Sequence, residues 1–554
     1  MGNCRKLNTT ADGREVATQP PYPVPFTEGD DAQSLTTSPA AGVGRATPST
    51  DHPAARGGTV LFYASLLVLT AVSLWPIWAT RFLPMQDYPQ HLFLAQVMAT
   101  YDDPSFNWKE FYRVDLGIRP YVSWYVAMKL LSGIFNIETA GKILFSLYIL
   151  LISVLALVAR RLAPKGCLPW GALLLYPFAF NQMYFLGFPN YIISLPLIFL
   201  ALLDLDSLAA GVSFGKLLRH GLYLALLFLT HPYSLLVYIA LTATSALLLW
   251  EKRTQLLRTL LPAAAVSLVF AVWYLAQHGP SATPTSVPWS VYWLPPHLSL
   301  AHYLLQFTGM RLDHGADWLA VGLWGVVAIL FDVAWKRSDR EGLIPRRFVA
   351  WYVVTLAGIF VLPFWMGYYS YFNLRLAPVS YFTLALLLCS VRIPLRYSVV
   401  LMACVLTLLF QSIRLQKTLA LEAETILPIV SAAHKNSLIL PLVFQSNSSA
   451  IDAHYFNEIH LHEADYYQLL VGGGANPTLF PNAMMPVQYR PGLLLPYPKK
   501  VTDFSWQEHG AYYDYVLVRG APPEVYLKLA QYCDLVAKSG PWGLFKNKMA
   551  RRPL

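Results

Sequence analysis

Long apolar runs separated by short polar or basic stretches dominate the chain from residue 59 onward. Runs near 59–80, 143–159, 168–186, 192–205, 261–277, 318–335, 348–365, 376–391 and 398–413 each approach the length at which one helix crosses the hydrocarbon layer of a bilayer. The stretch 221–250 is also apolar, but Thr230-His231-Pro232 interrupts it, and it is too long for one straight span and short for two. Charge decides between the two. A single crossing would put the basic loop with Lys336, Arg337, Arg340, Arg346 and Arg347 outside, against the positive-inside tendency. Two short helices meeting at Thr230-His231-Pro232 keep that loop inside, together with Lys252, Arg253 and Arg258. The pattern therefore predicts a mainly α, polytopic transmembrane helix bundle of about eleven spans, its N-terminus cytoplasmic.

The flanks read differently. Residues 1–57 carry no apolar period and predict a disordered cytoplasmic tail. They are too polar for a secretory signal, and Met1-Gly2-Asn3-Cys4-Arg5-Lys6 has Lys where a myristoylation motif wants Ser or Thr. The transmembrane domain is expected over 58–415, with a large first outer loop at 81–140 made of re-entrant or interfacial pieces. By parity, 416–554 lies outside the membrane on the extracytoplasmic side. Its period changes: 437–444 and 513–518 read as strands, 524–532 as a helix, and 533–538 with 542–546 as a closing strand pair. An α/β domain of that size can hold its own core.

Composition narrows the class. With 55% hydrophobic and only 13% charged residues, the chain is too apolar for a soluble enzyme of this length. The net charge of +10 comes from Lys and Arg residues clustered between apolar runs, which writes topology and gives no reason to expect nucleic acid. Cys4, Cys167, Cys389, Cys404 and Cys533 form neither a disulfide framework nor a metal spacing.

The stretch Pro84-Met85-Gln86-Asp87-Tyr88-Pro89-Gln90-His91, just past the first span, sets an acid and a histidine four positions apart. If 91–98 is a helix, Asp87 sits near its N-terminus as a cap, favoured by the helix dipole; the other reading is catalytic. On the predicted topology the outer face also gathers Asp115 with Arg119, Asn190, His231 and Arg375. Each has a bland reading: an i,i+4 ion pair on an interfacial helix for Asp115 and Arg119, a hydrogen-bonded structural imidazole for His231, snorkelling for Arg375. Tyr88 and the outer-loop aromatics suit either stacking on sugar faces or an interfacial belt. His434, His454, His460 and His462 with Glu458, Glu463 and Asp465 fit no specific zinc spacing and read as a solvated polar face.

Taken together, these features resemble the GT-C superfamily of integral-membrane glycosyltransferases, in its bacterial form. The resemblance covers about 59–554: an acid just after the first span in a long outer loop, short broken helices, an outward Arg late in the bundle and an outer C-terminal domain. It implies transfer of a sugar from a polyprenyl-phosphate carrier to a lipid, glycan or protein acceptor, with inversion, and membrane lipids as further partners. It makes Asp87 the general base and Arg375 the phosphate clamp, with Tyr88, His91, Asp115, Arg119, Asn190 and His231 as substrate-binding candidates. An Asp-x-Asp pair is absent at Asp87, so a requirement for a divalent metal, Mg or Mn, stays open, and no cofactor is assigned. The compartment it suggests is a bacterial inner membrane, where the Asn447-Ser448-Ser449 sequon has no role. Two other classes compete: a transporter or flippase of a lipid-linked substrate, for which no paired repeat of broken spans is visible, and a non-catalytic scaffold, which predicts that Asp87 is dispensable.

Overall fold

A chain segment in hydrocarbon must satisfy every backbone N–H and C=O internally, so helices follow the apolar runs. The computed structural model describes residues 53–549 except 210, 212, most of 249–289, 307–314, 341–344, 368, 452–457 and 481–484. The tail 1–52, most of the run 261–277, and His454 lie outside the described residues. The main helices are α1 (Pro53–Ala79), α2 (Tyr88–Ala99), α3 (Val122–Ser132), α4 (Ile137–Val158), α5 (Pro189–Ala209), α6 (Phe214–Thr230), α7 (Pro232–Leu248), α8 (Gly315–Arg340), α9 (Arg346–Val361), α10 (Leu376–Leu388), α11 (Leu395–Glu424) and α12 (Pro523–Tyr532).

Among the described residues, five helical stretches are long and apolar enough to cross a membrane: Gly57–Ala79, Ile137–Leu162, Pro189–Leu208, Trp318–Asp339 and Leu395–Val430. Two shorter apolar helices, α7 and α10, accompany them. The apolar pattern had suggested about eleven spans, and the run 168–186 is the clearest difference. It folds as the short pieces Trp170–Leu174, Leu175–Ala179 and Gln182–Phe185. Pro177 removes a helix donor, and Asn181 starts a fresh turn by accepting from the amides of Met183 and Tyr184. The residues of all three pieces are buried by protein, so their apolar character reflects an interior position. The same holds for α10, only 13 residues long and buried on nearly every side.

α6 and α7 meet at His231, as expected for a broken pair. His231 is extended (φ −158°, ψ 114°), the conformation favoured before a proline. Arg219 stands near the start of α6, at the end opposite this break. Arg219 pairs with Asp204, Arg347 pairs with Asp206, and the Arg392 amide donates to Ser338 Oγ at 3.0 Å.

The C-terminal segment forms a four-stranded sheet from β2 (Ile439–Val443), β4 (Tyr515–Arg519), β5 (Cys533–Ser539) and β6 (Trp542–Asn547), in the order β2-β4-β6-β5. β2 and β4 are parallel and the other pairs antiparallel. These strands and α12 fall within about two residues of the stretches read as strands and helix from the sequence. The expected boundary at 416 falls inside α11, and one hydrophobic core runs from Phe62 and Leu92 through Leu442, Val516 and Phe545. A short antiparallel ladder binds the first loop to the C-terminal segment: β1 (Tyr112–Val114) pairs with β3 (Val487–Tyr489).

Candidate active site

The first loop re-enters the bundle and is pinned by backbone. The Gln86 amide donates to Phe185 O at 2.9 Å and the Asp87 amide to Leu186 O at 3.1 Å. This approach requires Gly187, whose φ is +75° and where a Cβ would come 2.7 Å from Tyr88 N and 2.9 Å from Asp87 N. Asp87 occupies the N-cap position of α2, and its carbonyl accepts the first helical bond from the His91 amide at 3.1 Å. Its side chain makes no capping hydrogen bond, because its backbone (φ −90°, ψ −10°) is already helical instead of extended. The carboxylate instead faces a cavity of about 190 Å³.

Asp87, His91, Asn190, His231 and Arg375 all line that cavity, with Tyr121, Phe188, Tyr191, Tyr369, Ser370, Phe480 and Met485 among their neighbours. Arg375 does not snorkel. It is 8% exposed, its guanidinium lies 5.0 Å from the Phe188 ring centroid and 6.0 Å from that of Tyr233, and Nη1 stands 3.2 Å from His231 Nε2. Tyr121, held at φ 64°, sets its ring 4.7 Å from that of His231. Among the described residues, Arg375 Nε, His231 Nδ1 and both side-chain polar atoms of Asn190 are buried without a hydrogen-bond partner. Buried donors left unpaired in one cavity suit a polar or anionic guest.

Tyr88, Asp115 and Arg119 lie outside this cavity. Tyr88 is packed between Trp124 and Phe145, its hydroxyl buried. Asp115 and Arg119 are ion-paired as their spacing suggested, but in an irregular segment and not on a helix; the Asp115 amide is tied to Pro486 O at 2.8 Å.

His462 and Asp465, read from sequence as part of a solvated face, lie behind Asp87, Asp465 fully buried and His462 only 11% exposed. His462 Nε2 is 3.7 Å from Asp87 Oδ1, and its Nδ1 is 3.9 Å from Asp465 Oδ2. Asn476 Nδ2 donates to Asp465 Oδ1 at 2.5 Å. His91 Nδ1 meets the Tyr125 hydroxyl at 2.6 Å, so its ring is held beside Asp87 by α3. Burial pushes Asp87 up to about 7, against the pull of a hydrogen bond from Gln86 Nε2 at 3.2 Å. Burial likewise pushes Asp465 up to about 7, His462 down to about 4 and His91 down to about 3. No local signal marks Tyr121, Tyr125, His462 or Asp465 as site neighbours: the two tyrosines come from the far part of the first loop, and His462 and Asp465 from the C-terminal segment. Among the described residues no three His, Cys, Asp or Glu side chains form a metal-ligand set.

No family model and no curated protein matches the chain. Among solved structures, the crystal structure of ArnT from Cupriavidus metallidurans bound to undecaprenyl phosphate is similar at a TM-score of 0.38 and 16% sequence identity, over 90% of this chain and 100% of that one.

Proposed function

We propose that the chain is an integral-membrane glycosyltransferase that moves a sugar from a polyprenyl-phosphate donor to an acceptor hydroxyl on the outer face of the membrane, with inversion. The observation that carries this reading is that Asp87 and Arg375 line one cavity, with unpaired donors of His231 and Asn190 beside the guanidinium. A polyprenyl phosphate is already a good leaving group. The protein then has to hold the phosphate, orient the acceptor and take one proton.

In this mechanism Arg375, with His231 and Asn190, holds the phosphate and stabilises the charge that grows on it as the glycosidic C–O bond breaks. Asp87 takes the proton of the acceptor hydroxyl while the acceptor oxygen attacks the anomeric carbon from the opposite face. Phe188, Tyr191 and Phe480 supply apolar and stacking walls. The outer-face assignment rests on charge: Arg219, near the end of α6 opposite His231, pairs with Asp204, Arg347 at the start of α9 pairs with Asp206 on the same end of α5, and a basic end belongs in the cytoplasm.

The test is purified protein reconstituted in liposomes with a radiolabelled polyprenyl-phosphate sugar and cell-envelope extract as acceptor source. Label should move to acceptor with release of polyprenyl phosphate, and Asp87→Asn should lose this while still binding donor. Wild-type transfer by Asp87→Asn would falsify the base assignment. Flux of the lipid-linked sugar between leaflets without transfer would replace the enzyme by a transporter.

A further inference from the structure

The carboxylate of Asp87 has a neighbour from the C-terminal segment that the transfer step does not consume. His462 belongs to the turn leading into the short helix Tyr466–Leu470, far along the chain from the first loop. Buried His460 anchors that turn by bridging Glu463 (Nδ1 to Oε1, 2.7 Å) and Glu422 (Nε2 to Oε2, 3.0 Å) at the end of α11. Phe480 lies 5.5 Å from the His462 ring, and His462 Nε2 stands 3.7 Å from Asp87 Oδ1. The backbone of Thr478, whose donor and acceptor are fixed, decides which ring nitrogen carries the proton. Its carbonyl accepts from Gln90 Nε2, so the Gln90 amide cannot be turned over without setting two oxygens against each other. Its amide donates to Asn476 Oδ1 at 3.0 Å, which leaves Asn476 Nδ2 to donate to Asp465 Oδ1 at 2.5 Å. Oriented in this way, Gln90 Nε2 stands 3.4 Å from His462 Nδ1 and donates to it. The same amide also faces the Asp465 carboxyl and works against the upward pull of burial there. With a donor already at Nδ1, that nitrogen accepts, and the proton of the neutral ring is on Nε2, the nitrogen facing Asp87. Burial keeps the ring neutral by pushing it down to about 4.

We infer that His462 is a positioning residue for Asp87: a neutral imidazole, its tautomer set by Thr478 through Gln90, presents the Nε2 proton to Asp87 Oδ1 and leaves Oδ2 to take the acceptor proton. This rests on the transferase reading above and deepens it. Oδ1 already accepts from Gln86 Nε2 at 3.2 Å, so two donors converge on one oxygen of the carboxylate. The 3.7 Å separation is slightly beyond hydrogen-bond length, a gap of the kind that closes when substrate binds. In the transfer step the acceptor O–H bond breaks and its proton bonds to Oδ2, the acceptor oxygen bonds the anomeric carbon, and the C–O bond to phosphate breaks with its electron pair on the phosphate. His462 exchanges no proton and stays neutral throughout. Its donor does two things. It favours the carboxylate form, the form that acts as base, against the burial that raises Asp87 to about 7. It also fixes the rotation of the carboxylate, so that the oxygen offered to the acceptor is always the same one. The other charged or titratable groups facing Asp87 are Arg375, Glu458, Asp465, Tyr125, Tyr371 and, on α2, His91. His462 acts through Asp87 and not on the sugar.

The test begins with the wild-type, full-length protein labelled with 15N-histidine in lipid bilayers, read by solid-state NMR, the His462 signals identified by their loss in His462→Gln. Nε2 should be protonated and Nδ1 unprotonated between about pH 5 and 8. A proton on Nδ1 in that range overturns the inference. Infrared titration of protein labelled with 13C-aspartate, the Asp87 band identified by loss in Asp87→Asn, then reads the carboxyl without any sugar transfer. His462→Phe keeps a ring in the slot and removes the donor, so the Asp87 midpoint should rise by about one pH unit or more. His462→Gln carries an amide nitrogen to the place of Nε2 and should return most of that shift. In transfer assays His462→Phe should lower kcat by roughly tenfold or more, move the acid limb of the pH–rate profile up by the same interval and leave the donor KM unchanged, with His462→Gln recovering most of the rate. An Asp87 midpoint unchanged in His462→Phe overturns the inference whether or not transfer is detected, and so does a kcat of that variant within about twofold of wild type. A protonated Nε2 and a shifted midpoint in a protein that transfers no sugar keep the pair of His462 with Asp87 and remove the transferase reading instead.

Discussion

Arg375 Nη1 donates to Nε2 of His231 at 3.2 Å, so the imidazole next to the guanidinium is neutral and carries its proton on Nδ1, which has no partner among the described residues. The pair therefore presents donors to the cavity with their geometry set beforehand. Replacing Arg375 by Lys keeps the charge and loses the planar fork and its stacking on Phe188. Arg375→Lys should weaken binding of polyprenyl phosphate by roughly tenfold to a hundredfold, measured by calorimetry in detergent, with His231→Gln falling between it and wild type.

Asp87→Asn keeps the size of the side chain and its contact with Gln86 but removes the base. Transfer should fall by about 10²–10⁴-fold while donor affinity stays within a few-fold of wild type, as read by steady-state kinetics beside direct binding.

Burial raises Asp87 to about 7, and only its ionised form accepts a proton. The rate kcat/KM should rise about tenfold per pH unit below that value and level off above it. A pH-independent profile between 5 and 8 would remove Asp87 as the titrating base.

The same shift has a stability sign. Native Asp87 holds its proton from the ordinary value of 3.8 up to about 7, where the unfolded chain has already lost it, so its contribution is most favourable below the lower value and is lost as pH rises through that window. Asp87→Asn should therefore raise the unfolding temperature at pH 8, by an amount reflecting a few kcal/mol at most, and leave it nearly unchanged at pH 4. Thermal unfolding at the two pH values checks the difference.

Gly187→Ala adds a Cβ 2.7 Å from Tyr88 N, at a backbone conformation that L side chains resist. A loss of about 1–3 kcal/mol in stability is expected, with displacement of Asp87 and a fall in transfer larger than the stability change alone explains. Denaturant unfolding together with activity at a temperature where both proteins are folded separates the two effects.

Local patterning carried much of this protein. Apolar runs long enough to span predicted α1, α4, α5, α8 and α11, Pro232 marked the break after α6, and short apolar runs outlined the C-terminal strands, because helix and strand patterning and proline chemistry act over a few residues. Counting basic clusters along the chain was enough to assign Asp87, Asn190, His231 and Arg375 to one side. Tertiary structure decided the rest. An apolar stretch buried by protein looks the same in sequence as one buried by lipid, and 168–186, which folds as three short pieces, reads as a span. Asp87 looked like a helix cap, since only its backbone dihedrals reveal that the carboxylate is released from capping. The company of Asp87, with His462 and Asp465 behind it and Tyr121 and Arg375 across the cavity, depends on contacts between segments tens to hundreds of residues apart. No local period encodes such contacts; they arise from close packing of the whole core.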